Sequence, residues 1–163
     1  PALTTEKAVK LFETFHVFTR AELKSRAEVE YEAYAKVINI EARSMTNIAG
    51  KQIIPAVIRY TTRLADSIGK ITGVCPEADF SVQKELLLET SDLLSEMKTA
   101  LAELIDLSES CKTIVDAKER ALACHSQVVP AMERLRRPAD ILERIVDKDL
   151  WPFPSYGDLL FEV

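Results

Sequence analysis

The residues best suited to ligate a metal or carry a reaction are two histidines, three cysteines and the carboxylates that flank them. Glu13-Thr-Phe-His16 has the Glu-x-x-His spacing that sets two ligands on one helix face in carboxylate-bridged di-iron bundles. A site of that type needs a second such motif and two further glutamates on facing helices. Three residues before the other histidine, His125, stands Leu122, so half of that ligand set is absent. Zinc at His125, Cys124 and Cys111 would need four converging ligands, and no Cys-x-x-Cys unit is present. His125 is therefore expected to be a core or boundary residue hydrogen-bonded to a neighbour.

Nucleophilic and phosphate chemistry fare no better. Cys111 and Cys124 lie in no recognisable catalytic context, and there is no Gly-x-Ser-x-Gly elbow. Gly69-Lys-Ile-Thr-Gly73 lacks the glycine spacing and the Lys-Ser/Thr of a phosphate-cradling loop. Cys75, Cys111 and Cys124 form an odd set without framework spacing, as expected of reduced thiols in a cytoplasmic protein. The net charge of −5 opposes nucleic-acid binding, and the one basic knot, Arg134-Leu-Arg-Arg137, is small. Pairs such as Glu22–Arg26, Lys24–Glu28 and Arg26–Glu30 read as a solvated helix face. The residues show no catalytic, cofactor-binding or metal site.

The elements that would position these side chains are helical. Four glycines in 163 residues leave long runs free of turn signals, and 47% hydrophobic residues suffice for one core. No apolar run approaches the ~20 residues that span a bilayer. Neither a basic region nor an apolar core of a signal peptide opens the chain. A short helix is expected over about 5–14. Thr19-Arg-Ala-Glu22 is a capping box, with Phe18 and Leu23 at the hydrophobic-staple positions. It starts a helix over about 20–71, with Ile38, Met45, Ala49, Gln52, Ala56 and Tyr60 among its seam positions. Gly73 to Asp79 is the turn, and a further helix runs over about 81–111. The last, about 117–148, carries the heptad seam Ala121, His125, Val128, Met132, Leu135, Ala139, Leu142 and Val146. The expected fold is all-α, an elongated antiparallel bundle of three long helices with a short N-terminal helix and an extended aromatic tail over 150–163.

Two geometric expectations follow. Pro55 and Pro130 occur in the similar contexts Ile-Ile-Pro-Ala and Val-Val-Pro-Ala and should each kink a helix, both about 24 Å below the upper turn. The second helix should outreach the third by roughly twenty residues. That leaves Tyr31, Tyr34, Val37 and Ile38 on a lower arm in need of cover. The tail, Trp151-Pro-Phe-Pro-Ser-Tyr-Gly-Asp-Leu-Leu-Phe-Glu-Val163, has two ring-fixed prolines and too much aromatic surface to remain undocked.

That tail resembles the extreme C-terminus of type III glutamine synthetases, the large bacterial class of that enzyme. Glu6-Lys-Ala-Val-Lys-Leu-Phe-Glu13 with Val17-Phe-Thr-Arg-Ala-Glu-Leu-Lys-Ser-Arg26 is similar to the segment after that family's catalytic domain. Ile38-Asn-Ile-Glu-Ala42 and Lys51-Gln-Ile-Ile-Pro-Ala56 resemble its next blocks, although Ala27 stands where Tyr is more usual. Between Gly73 and Ala121 there is no recognisable motif. The resemblance implies a single domain over 1–163, the C-terminal helical part of a larger enzyme, and opening on Pro1 agrees with a piece of a longer chain. The parent enzyme would ligate ammonia to glutamate using ATP and Mg2+, in nitrogen metabolism. Its catalytic residues would lie upstream, and no position here matches them. The expected role is architectural, with the upstream catalytic domain and neighbouring subunits of a homo-oligomer as partners. The candidate interface is Tyr31, Tyr34, Ile38, Trp151, Phe153, Tyr156 and Phe161. The alternative is a free-standing helical module that recruits partner proteins. A self-contained module should bury its first helix and tail, whereas a piece of a larger enzyme should expose an orphaned surface near its N-terminal end.

Overall fold

The computed structural model describes residues 2–154 and 156–161, and these are helical with no strand among them. After a 3-10 turn at Ala2–Thr4 come α1 (Glu6–Thr14), α2 (Arg20–Ile48), α3 (Ile54–Val74), α4 (Ser81–Lys112), α5 (Ala117–Ala123), α6 (Val129–Ile145) and α7 (Tyr156–Phe161). Thr5, Thr19 and Asp116 each accept a backbone N–H from the first turn of the helix that follows. The Thr19–Glu22 capping box is complete, because the Thr19 N–H also donates to the Glu22 carboxylate at 2.8 Å.

The long helical paths are not uninterrupted, which corrects the simple three-helix count. A π segment, Ala49–Ile53, joins α2 to α3, and another, Cys124–Val128, joins α5 to α6. Each ends two positions before a proline, Pro55 and Pro130, in sequence contexts seventy-five residues apart. Proline has no N–H, and its ring crowds the carbonyl four residues back. The chain widens its turn ahead of it: the Ile54 N–H donates to Ala49 and the Val129 N–H to Cys124, both five residues back. The wider turn rotates the buried stripe. Ile53 is buried where Gln52 was expected, and Cys124 takes the core position assigned to His125. Pro138 also lies inside α6, fully buried, a third helical proline that the seam did not reveal.

The core is one cluster along the paths of α2, α3, α4 and α6, with Met97, Leu104, Leu135, Leu142, Val57 and Val128 essentially sealed from solvent. Each such side chain contributes about 1.5–3 kcal/mol of transfer free energy. The buried Thr90 hydroxyl is satisfied by the Leu86 carbonyl at 2.6 Å.

Cross-helix contacts fix the relative heights and overturn the expectation of level kinks. The Tyr34 hydroxyl lies 3.1 Å from His125 Nδ1, so these residues stand at one height. Pro55 is about 31 Å further up its path and Pro130 about 8 Å further up its own, at 1.5 Å per residue. The two prolines are therefore about 24 Å apart along the bundle by this contact and about 14 Å by the Arg63–Asp147 pair, more than two turns either way. The cause is the position of α5. The Thr113–Asp116 connection carries the chain down beside α2, where Asp116, Ala117 and Lys118 line a cleft with Leu23, Ala27 and Tyr31. The lower arm of α2 is covered by α5, not left bare.

Candidate functional site

The N-terminal end carries the clearest site-like arrangement. Helix α1 ends at a positive φ of 53° at His16. There the His16 N–H donates to Glu13 and the Val17 N–H to Phe12, a Schellman ending that reverses the chain toward α2. His16 is thus a helix terminator, and the Glu13-x-x-His16 spacing serves a turn. Arg20 then reaches back to grip both oxygens of Glu6 at 2.6 and 2.8 Å, fastening α1 to the first turn of α2. The Arg20 guanidinium holds the Glu6 carboxyl below its usual range, and Glu6 raises Arg20 in return. Phe12 and Phe18 pack with ring centroids 5.7 Å apart, and the Arg26 guanidinium lies 4.4 Å above the Phe18 ring.

This framework turns apolar side chains outward. Val9 is the buried residue of α1, whereas Leu11 is 55%, Phe15 69% and Val17 54% exposed. Beside them a cleft of about 390 Å³ has Val9, Leu23, Ala27 and Tyr31 in its wall and Arg20, Lys24 and Lys118 at its edges. Exposed apolar side chains carried on an ion-paired frame are suited to docking a polypeptide.

The candidate interface residues divide. Tyr31 is half-buried in the cleft wall, and Tyr34 is exposed but bonded to His125. Ile38 belongs to the core at 8% exposure, a correction: α4 and α5 pack against that face of α2. On α2 the exposed apolar residues are instead Val29, Val37 and Ile40. Trp151 and Phe153 meet edge-on at 6.3 Å and pack against the core, so this part of the tail docks on its own bundle. The side chains of Tyr156 and Phe161 lie outside the described residues. The tail is not extended throughout, because 156–161 form α7, tied to the end of α6 by Lys148 and Asp158 at 2.7 Å. Leu159 and Leu160 of that helix are exposed.

Sequence reasoning missed Leu11, Phe15 and Val17. The signal was present: Val9–Phe12 and Leu11–Phe15 mark two apolar faces on a helix of nine residues, and one bundle covers only one of them. His125 is exposed, hydrogen-bonded to Tyr34 as a boundary histidine. Among the described residues, no three His, Cys, Asp or Glu side chains converge as a metal cage, and no helix is long and apolar enough to cross a membrane.

Comparison with known proteins agrees with the sequence blocks. Residues 1–72 match the family described as glutamine synthetase C-terminal domain. Over 149 residues the chain is 31% identical to a glutamine synthetase of Bacteroides fragilis, covering 89% of this chain and 20% of that protein. It is 29% identical to a type-3 glutamine synthetase of Dictyostelium discoideum, covering 98% of this chain and 22% of the relative. A glutamine synthetase of Butyrivibrio fibrisolvens is 28% identical across the whole chain, which spans 23% of it. The chain spans about a fifth of the length of the curated relatives it matches.

Proposed function

We propose that this chain, which carries the glutamine synthetase C-terminal domain over residues 1–72 and resembles type III glutamine synthetases nearly end to end, is an architectural domain of such an enzyme. In this reading the reaction is the ATP-dependent ligation of ammonia to glutamate. It takes place in an upstream catalytic domain that supplies the ATP and Mg2+ sites. The helical chain contributes surfaces on which that domain and neighbouring subunits of a homo-oligomer are seated.

One observation carries the proposal. The first helix buries Val9 and turns Leu11, Phe15 and Val17 to solvent, at the end of the bundle where an upstream domain would join. A self-contained interaction module would cover that helix, because exposed aromatic and aliphatic area of this kind is costly in water. The Glu6–Arg20 pair and the Schellman turn hold the surface in one shape, which lowers the ordering cost of docking.

The test is the double variant Leu11→Glu, Phe15→Glu in the full-length enzyme. Both positions are exposed, so the isolated helical chain should keep its melting temperature. The full-length enzyme should lose its native assembly by light scattering, and with it glutamine formation. Unchanged assembly and activity would overturn the proposal.

A further inference from the structure

Cys111 and Cys124 form a buried pair that the proposed architectural role does not use. Cys111 stands in the last turn of α4, and Cys124 opens the second π segment. They are 4% and 3% exposed and belong to the same buried cluster. Both line a void of about 20 Å³ together with Ser108, Lys112, Arg120 and Asn39. A void of that size has room for one water-sized molecule, and its polar lining would tolerate one. A small neutral peroxide reaches so confined a place more readily than a bulky disulfide reagent. Arg120 supplies positive charge for a transient thiolate, against a background in which burial and then the neighbouring Cys111 push the Cys124 thiol up to about 11.

We propose that Cys111 and Cys124 are an oxidative modification site that closes to a reversible intrachain disulfide with hydrogen peroxide. One thiol, as its thiolate, attacks a peroxide oxygen. The O–O bond breaks, an S–O bond forms, and the departing hydroxide takes up a proton to leave as water. The second thiol then attacks the sulfenic sulfur, forming S–S as S–O breaks and a second water leaves. Two thiols lose two electrons and two protons, and one peroxide becomes two waters. The bond would pin the lower end of α4 to the π segment and enclose the connection that sets α5 beside α2. Because the thiols are sealed from solvent, closure is slow, the behaviour of a latch and not of a rapid sensor.

The experiment treats the folded chain, its helicity checked by circular dichroism, with hydrogen peroxide after Cys75→Ser removes the exposed thiol. The expected product is a monomer lighter by about 2 Da, with Cys111 and Cys124 in one non-reduced peptide pair, reversed by dithiothreitol. Its melting temperature should rise by about 5 °C, as expected for closing a short loop. A Cys124→Ser companion should show neither change. If both thiols remain open to alkylation after denaturation, or either is recovered as an unpaired sulfinic acid, the proposal is wrong.

Discussion

Tyr34 and His125 meet at 3.1 Å across α2 and the second π segment, ninety-one residues apart in the chain. The contact exists because the wide turn at Cys124–Val128 rotates His125 out of the core stripe and toward α2. It also reports how far the α5–α6 path is slid along α2. Since both rings are exposed at their polar edges, Tyr34→Phe should cost no more than about 1 kcal/mol. Denaturant midpoints of the two proteins measure this directly. A loss several times larger would mean that the pair holds the helix register and does not merely report it.

His16 occupies a left-handed conformation that L-residues adopt at a cost. Glycine takes the same φ freely, so His16→Gly should stabilise the chain by about 1 kcal/mol. The Schellman hydrogen bonds are made by the backbone and survive the exchange. Thermal unfolding should show a melting temperature roughly 2–4 °C higher. A fall would show that the imidazole has a role that its spacing from Glu13 does not explain.

Three carboxylates are held below their usual range by the partners of their charged forms. Glu6 is held by the Arg20 side chain, Glu22 chiefly by the Thr19 backbone N–H, and Asp79 chiefly by the Ser81 backbone N–H. A depressed folded value means that the stabilisation is complete above the unfolded carboxylate range, about 4. It is lost as pH falls through the lower folded values. Stability from urea titrations should therefore decline on acidification below about pH 4. Glu22→Gln keeps an acceptor in the capping box but cannot titrate, and should flatten part of that decline.

Trp151 is half-buried against the core, and its buried indole N–H has no hydrogen-bond partner among the described residues. Its contribution is then packing, so Trp151→Phe should cost less than about 1.5 kcal/mol. Trp151→Ala should cost about 2–3 kcal/mol, and truncation after Asp149 should lower the melting temperature at least as far. Calorimetry of the three proteins checks the order. An unchanged melting temperature in the truncated chain would show that the tail is only laid on the bundle.

Much of this architecture is legible in the residues. Thr19 and Glu22 announce the start of α2, and Asp116 with Glu119 the start of α5, because capping is local chemistry written within four positions. The π segments are not legible as periodicity, since a single wide turn shifts the stripe by only one residue. Their trace is the repeated Ile-Ile-Pro-Ala and Val-Val-Pro-Ala, which signals a disturbed helix without saying how the chain absorbs it. Helix lengths alone put Ile38 on an exposed arm, because they do not reveal a connection that drops before the next helix climbs. The outward face of α1 is hidden for a different reason. Aromatic content alone favours the tail as the docking surface, yet Trp151 and Phe153 pack on their own core, while Leu11 and Phe15 do not.

The central claim is that this helical chain is seated within a much larger synthetase polypeptide. The most direct test is the size of the native polypeptide in a lysate of its source cells, blotted with an antibody raised to the chain. The account predicts a band several times larger than 18.3 kDa, in keeping with relatives of which the chain spans about a fifth. A band at 18.3 kDa with no larger precursor would contradict it.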